Sequence, residues 1–228
     1  MKFTVKKEFL YNALNAVSRA IATRVIQPVL SNVLIETIDN DLLRLAATDN
    51  DISIEVKIPA LKEEDGSITL PAKKLLEIIS KLPDQEINFE TNVSSNKTVI
   101  KCGKSKFDLL GICSSEFPPL NKIVSDKFIV VDIEKLLKSI KQTSFASANY
   151  DSNNVLSGVS CIVKDNFIEM AATDGNRLSR VITEIENKDN TELSFIIPSR
   201  TLNEFTRILA RSEERRVEKE CMPVCRSR

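Results

Sequence analysis

The chain contains no histidine, so it lacks the side chain that most often moves protons near neutral pH. Its five glycines are scattered, and neither a G-x-G-x-x-G fingerprint nor a P-loop can be written from them. No apolar run approaches the roughly 20 residues of a membrane span, and the start, MKFTVKKEFL, lacks the apolar stretch of a secretory signal. We therefore expect a cytoplasmic protein with no cofactor, no metal ion and no membrane association.

The charged residues permit two classes of function. Lys+Arg and Asp+Glu both number 32, which argues against coating nucleic acid through bulk basicity but leaves room for a basic strip. A metal-dependent nuclease or phosphodiesterase would need carboxylates that converge on the metal, and Asp49, Asp51 and Asp174 are the candidates. This enzyme remains the alternative function, and convergence of the three carboxylates in space would favour it.

Short motifs recur in the same order about 125 residues later, so we interpret the chain as two copies of one module. The matching pairs are Glu8 and Leu10 with Glu134 and Leu136, Leu30-Ser31 with Leu156-Ser157, Ala46–Asp49 with Ala171–Asp174, and Leu70–Lys73 with Ile197–Arg200. A period of this length exceeds that of solenoid repeats, so each copy should be a domain with its own core.

Hydrophobic periodicity predicts two helices in each module, with strands between them. The predicted helices are Glu8–Ala20, Ala72–Lys81, Ile133–Ser144 and Ser199–Ala210, and the predicted strands are Val33–Thr37, Ile52–Ile58, Ile87–Glu90, Val99–Cys102, Val159–Val163 and Phe195–Ile197. The fold class is therefore α+β, with mostly antiparallel strands and both helices of a module on one face. We place the first domain at residues 1–122, the second at 127–210 and a charged, non-periodic tail at 211–228.

Three of the four predicted helices carry more lysine and arginine than acidic residues. One interpretation is that charged residues simply occupy the solvated side of each helix. The other is a helical face turned towards a polyanion, because lysine and arginine supply sequence-independent phosphate contacts. No aromatic stacking platform accompanies these residues, which disfavours a single-strand binder.

The motifs taken together resemble a known family. The opening MKFTV, Arg24–Asn32, Ala47–Asp49, Leu70–Lys73 and Gly103–Pro118 are similar, in order, to the first domain of bacterial sliding clamps, the beta subunits of DNA polymerase III. Phe145, Leu156, Gly158 and Ala172–Leu178 are similar to the second domain of that family. The resemblance covers Met1 to about Ala210.

The resemblance implies tandem clamp-type modules, with sheets outside and helices on an inner side that faces DNA. It implies a ring-shaped homodimer that encircles duplex DNA and keeps the polymerase processive, without catalysis of its own. The nucleotidyltransferase activity of a DNA-directed DNA polymerase belongs to the holoenzyme. The expected partners are duplex DNA, the DNA polymerase III catalytic subunit, the clamp loader and other replication and repair proteins that carry clamp-binding motifs.

The resemblance also assigns residues to two sites by position. The expected DNA contacts are Arg24, Lys73, Tyr150, Asn154 and Val155, although the family often has an aromatic pair where this chain has Asn154-Val155. The expected half of a partner-peptide groove comprises Leu156, Thr173, Gly175, Asn176, Arg177 and Leu178, with Asn176 where histidine is frequent.

Clamps of this family have three modules per subunit, and residues 211–228 do not resemble the sequence that would continue the second. This stretch resembles translated adaptor or frameshifted sequence. We therefore expect the chain as given to lack one ring-closing interface and the opposing wall of the groove.

Overall fold

The computed structural model describes residues 1–21, 27–39, 41–120, 129–148, 155–187 and 190–209. The chain separates into two compact units, Met1–Lys122 and Ile123–Arg228. Most of the stretch in which we predict the domain boundary, and all of the predicted tail, lie outside the described residues. None of the helices in the described ranges combines the length and the apolar character that a membrane crossing needs.

The first unit contains two antiparallel sheets and two α-helices. Its elements are β1 (Lys2–Lys6), α1 (Lys7–Val17), β2 (Asn32–Ile38), β3 (Leu42–Thr48), β4 (Ser53–Pro59), β5 (Leu61–Glu64), β6 (Ser67–Pro71), α2 (Ala72–Lys81), β7 (Glu86–Asn92), β8 (Lys97–Cys102) and β9 (Ser105–Leu110). The four-stranded sheet has the order β4-β3-β2-β6, and the five-stranded sheet has the order β5-β1-β7-β8-β9.

The second unit repeats the four-stranded sheet. Its elements are α3 (Ile133–Thr143), β10 (Gly158–Lys164), β11 (Phe167–Thr173), β12 (Leu178–Glu184), β13 (Leu193–Pro198) and a helix over residues 199–209, called α4 here. The sheet order is β12-β11-β10-β13, which is the order β4-β3-β2-β6 of the first unit with each strand replaced by its counterpart.

The two sheets also share their pairing register. Opposite residues in the first sheet include Leu34 with Ala46, Thr48 with Ser53, and Asn32 with Pro71. Their counterparts in the second sheet are Ser160 with Ala171, Thr173 with Leu178, and Gly158 with Pro198. Because a one-residue slip would turn every side chain to the other face, a common register is strong evidence for one repeated module. The predicted α+β fold class is confirmed.

Both helices of each module pack on the same face of the four-stranded sheet. In the first module, Leu14 of α1 and Leu75 of α2 are buried in one cluster with Leu45 of β3. In the second, Ile140 of α3 and Leu202 of α4 share a cluster with strand residues of β10 and β11. Successive strand residues point to opposite faces, so the other, helix-free face of each sheet carries the intervening side chains.

The sequence placed the helices well but missed several strands. The predicted helix over Ala72–Lys81 coincides with α2, whereas the one predicted over Glu8–Ala20 is α1 to Val17 followed by a 3-10 turn, Ser18–Ala20. The Ser18 hydroxyl donates to the carbonyl of Asn15, a local bond that competes with the helical pattern. The strands absent from the prediction are β1, β3, β5, β6, β9, β11 and β12.

Candidate functional site

An apolar groove lies on the helix-free side of the second module and has a volume of about 160 Å³. It is lined by Val155, Leu156, Gly158, Ser160, Ala171, Ala172, Thr173, Leu178 and Ile196. The small residues of β10 and β11 leave a depression, and the larger side chains of Leu178 and Ile196 flank it. A Cβ on Gly158 would lie 2.4 Å from Cγ2 of Ile196, so a larger residue at this position would force the Ile196 side chain to move.

The turn between β11 and β12 holds one rim of the groove in place. The Asp174 carboxylate accepts the backbone N–H groups of Asn176 and Arg177, at 2.9 and 3.0 Å. These two bonds, the Asn176 bond first, lower the pKa of Asp174. The Thr173 hydroxyl accepts the N–H of Gly175 and donates to the carbonyl of Arg177, and Gly175 has φ +92°. The turn thus fixes the chain that leads into Leu178.

The turn also presents an oriented cation and an exposed aromatic ring. Nε of Arg177 donates to Asp174 at 2.9 Å, and its Cζ lies 5.7 Å from the centroid of the Phe145 ring, within cation–π distance. Leu178 is 70% exposed and Phe145 is 59% exposed, although both are large apolar side chains. An apolar depression with exposed apolar residues and one oriented cation is a surface suited to a short peptide that carries apolar and acidic groups.

All six residues expected in the partner-peptide groove line this depression or belong to its turn. Leu156, Thr173 and Leu178 line the groove directly, while Gly175 and Arg177 belong to the turn. Asn176 is the exposed sixth residue, and its N–H bonds Asp174. Sequence reasoning missed Ile196 and Phe145 as site residues, because their places depend on strand pairing and on the chain path after α3.

The residues expected to contact DNA are less completely described. Arg24, Tyr150 and Asn154 lie outside the described residues. Lys73 is exposed in the first turn of α2. Val155 is exposed and lines the apolar groove together with Leu156.

The alternative of a metal-dependent nuclease finds no support. Within the described ranges, no group of three or more Cys, Asp or Glu side chains could hold a metal ion. The Asp49 carboxylate accepts the N–H groups of Asp51 and Ile52, as Asp174 does in the matching turn of the second module. These aspartates build equivalent turns in separate modules.

The two modules share one strand order and one pairing register, and each has two helices on one face of an antiparallel sheet. These features place the chain in the class of DNA clamps. The N-terminal domain of the DNA polymerase III beta subunit matches residues 1–121, and its central domain matches residues 130–218. The chain belongs to the DNA polymerase III beta subunit family. The central-domain match includes the first eight residues of the predicted tail.

Curated and solved relatives agree with this assignment. The beta sliding clamp of Staphylococcus epidermidis is 32% identical over 222 residues, which are 94% of this chain and 58% of that protein. The crystal structure of the Bacillus subtilis sliding clamp has a TM-score of 0.86 at 30% identity and covers 91% of this chain and 56% of its own. The Pseudomonas aeruginosa beta subunit has a TM-score of 0.83 at 31% identity, covering 92% of this chain and 57% of its own. The chain thus spans somewhat over half the length of these relatives.

Proposed function

We propose that the chain contributes two modules to a sliding clamp that encircles duplex DNA and tethers the replicative polymerase. The observation that carries the proposal is the match of both modules, in order, to the first two domains of the beta subunit. In this proposal the domains are residues 1–122 and 127–210, and the role is non-catalytic. The partners are duplex DNA, the DNA polymerase III catalytic subunit, the clamp loader and further replication and repair proteins, and the assembly is a cytoplasmic ring-shaped homodimer.

The charges of α2 support the DNA-facing role of the helices. Lys73 and Lys74 are both exposed in its first turn, which contains no acidic residue. The N-terminus of a helix carries a partial positive charge, so two cations there oppose helix stability. A polyanion facing this turn would offset that cost. We propose Lys73 as a phosphate contact on this basis, and we propose Arg24, Tyr150, Asn154 and Val155 as further DNA contacts from the family resemblance alone.

The geometry of the apolar groove supports the tethering role. Exposed Leu178 and the depression beside it would bury apolar side chains of a partner peptide, which is worth roughly 25 cal/mol per Å². Arg177 would meet an acidic group or the peptide carboxylate, since its guanidinium is held beside the groove by Asp174.

Measurements of duplex binding test the proposal that the helices face DNA. Fluorescence anisotropy is measured with two 30-bp duplexes of unrelated sequence and with one single strand of equal length, over a series of salt concentrations. We expect equal affinity for both duplexes, weaker affinity for the single strand, and a log–log salt slope of about −0.9 per neutralised phosphate. A preference for one duplex sequence, or for the single strand, would contradict the proposal.

A further inference from the structure

The first module contains a counterpart of the apolar groove, and the chain itself fills it. The Gly111–Leu120 segment follows β9 and brings Phe117, which is only 8% exposed, into a separate buried cluster. That cluster consists of Val29, Leu30, Leu34, Ala46 and Phe117, with Ile112 and Leu120 packed against it. Leu34 and Ala46 alternate with strand residues that face the helices, so this cluster lies on the helix-free face.

The cluster and the groove occupy the same position in the repeated module. The four residues packed around Phe117 correspond to Val155, Leu156, Ser160 and Ala171 of the second module, the first two by the sequence repeat and the last two by the shared register. All four of these counterparts line the apolar groove. Phe117 therefore lies where an apolar side chain in the groove of the second module would lie.

Backbone bonds attach the segment to β6 as a peptide is attached to a sheet edge. Thr69 and Ile112 exchange two N–H···O bonds, of 3.1 and 3.0 Å, and the Thr69 hydroxyl donates to the Ile112 carbonyl. Ser67 donates to the hydroxyl of Ser114 at 2.7 Å. A Cβ on Gly111 would lie 2.4 Å from the carbonyl oxygen of Thr69, so glycine permits this close contact. Strand addition combined with an anchored apolar side chain is a general mode of peptide recognition.

The segment is also separable from the rest of the module. Its apolar cluster is distinct from the main core, which lies between the helices and the opposite face of the sheet. Detaching the segment exposes the small cluster and the parts of Ile68 and Leu70 that Gly111 covers, but it breaks no bond of the β2–β3 ladder. Such satellite clusters are the parts of a protein that open locally at lower free energy than global unfolding.

We propose that the Gly111–Leu120 segment is an intramolecular ligand, and that the first module binds an apolar peptide at this position once Phe117 is expelled. This second peptide site is distinct from the apolar groove and does not depend on the proposed clamp function. Its occupant would be a peptide of the segment's own pattern, with an aliphatic residue that pairs with β6 and an aromatic residue five positions later.

A labelled synthetic peptide with the sequence of residues 111–120 tests the proposal. The background variant Leu178→Glu suppresses the apolar groove of the second module, and Phe117→Asp is added because a carboxylate cannot remain in the apolar cluster. We expect the double variant to bind the peptide at least about tenfold more tightly than Leu178→Glu alone. The matched control Phe107→Asp, which changes an exposed phenylalanine on β9, should leave binding at the background value. A folded double variant that binds no better than the background would overturn the proposal.

Hydrogen exchange on the unchanged chain tests the same proposal without a risk of misfolding. The N–H groups of Thr69 and Ile112 each donate to the carbonyl of the other residue, between β6 and the segment, whereas the amides of β3 are protected by ladders on both sides. We expect the Thr69 and Ile112 amides to exchange at least about tenfold faster than those of β3. Equal rates for both sets, set by global unfolding, would show that the segment is an integral part of the core and not a ligand.

Discussion

Arg44 and Glu55 form a 2.7 Å ion pair between β3 and β4, and the same two positions in the second module carry the opposite charges, as Glu169 and Arg180. In each module the pair is diagonal, because Ala46 lies opposite Glu55 and Ala171 lies opposite Arg180. The exchange preserves the attraction within each sheet. If β3 paired with β12 instead of β4, Arg44 would meet Arg180, and if β4 paired with β11, Glu55 would meet Glu169. Repulsion between like charges therefore disfavours pairing between strands of different modules.

Replacing Arg44 with methionine should destabilise the first module. Glu36 accepts from Arg44 at 2.8 Å on the other side, so Arg44 separates two carboxylates. Burial lowers the pKa of Arg44, but the hydrogen bonds that Arg44 donates to Glu36 and Glu55 outweigh this effect and leave that pKa raised. Since the arginine side chain is 19% exposed, we expect a loss of about 1–2 kcal/mol in urea denaturation, between the values for surface and buried pairs.

Two further variants test whether the loss arises from the two carboxylates that Arg44 separates. Adding Glu55→Gln to Arg44→Met should recover part of the stability, because one of the two facing carboxylates is removed. Lys101→Met breaks a more exposed pair with Glu90, 3.3 Å long, and should cost less than about 0.5 kcal/mol. An equal loss for Lys101→Met and Arg44→Met would contradict this interpretation.

A buried hydroxyl pair in the second module replaces an apolar pair in the first. Ser139 of α3 and Thr183 of β12 bond at 2.6 Å, and their counterparts Ala13 and Ile58 are both buried. Ser139→Ala alone should cost about 1–2 kcal/mol, since it leaves the Thr183 hydroxyl buried without its partner. Ser139→Ala with Thr183→Val should lie within about 0.5 kcal/mol of the unchanged chain, because both polar groups are gone. Thermal unfolding of the unchanged chain, the single variant and the double variant measures these differences in stability. A double variant less stable than the single one would refute the argument.

Cys113 should be the first to react among the three cysteines in the described ranges. A hydrogen bond from the Ser115 hydroxyl, 3.1 Å long, and the Ser115 backbone lower the pKa of Cys113, whereas burial raises the pKa of Cys161 to about 11. A lowered pKa gives more thiolate at a given pH, and Cys102, like Cys161, is buried. Peptide mapping after brief iodoacetamide treatment at pH 8 measures the order. Ser115→Ala should slow the Cys113 reaction, and an unchanged rate would exclude the hydrogen bond as its cause.

The sequence predicted the helices because each has a local signal. In α2 the buried positions Ala72, Leu75 and Ile79 recur at helical spacing directly after Pro71, so both ends and the buried face were readable. Likewise, the alternation in Ile52–Ile58 predicted β4, which spans Ser53–Pro59. The recurrence of Ala46–Asp49 as Ala171–Asp174 is local too, and it located the equivalent turns that carry Asp49 and Asp174.

The remaining features required pairing partners that lie far apart in the chain. Ile196 joins the groove only because β13 pairs with β10, and the bond between Ile112 and Thr69 spans 43 residues. The charge exchange at Arg44 and Glu169 becomes visible only when both registers are known. Periodicity reports which face a residue occupies but not which strand lies next to it, so neither the groove nor its filled counterpart was predictable from spacing.

The positive charge of Lys73 should lower the stability of the free protein and raise its affinity for DNA. It lies in the first turn of α2, where the helix dipole opposes a positive charge. Removing that charge with Lys73→Gln should therefore raise the free energy of unfolding by about 0.3–1 kcal/mol. If Lys73 contacts a phosphate, the same change should lower duplex affinity and reduce the log–log salt slope by about 0.9.

Lys81→Gln is the matched control for Lys73→Gln, because it removes one positive charge from the opposite end of the same helix. Lys81 is in the last turn, where the dipole favours a cation, and it pairs with Glu77 at 2.7 Å. Its removal should slightly lower stability, and we expect it to leave the salt slope unchanged because its charge is already paired. Urea denaturation and anisotropy titrations over a salt series measure both quantities for both variants. A charge that acts only through the overall field of the protein would change the slope equally in the two variants, whereas a direct phosphate contact changes it only for Lys73. Equal slopes would therefore remove Lys73 from the proposed DNA contacts, even if its effect on stability has the expected sign.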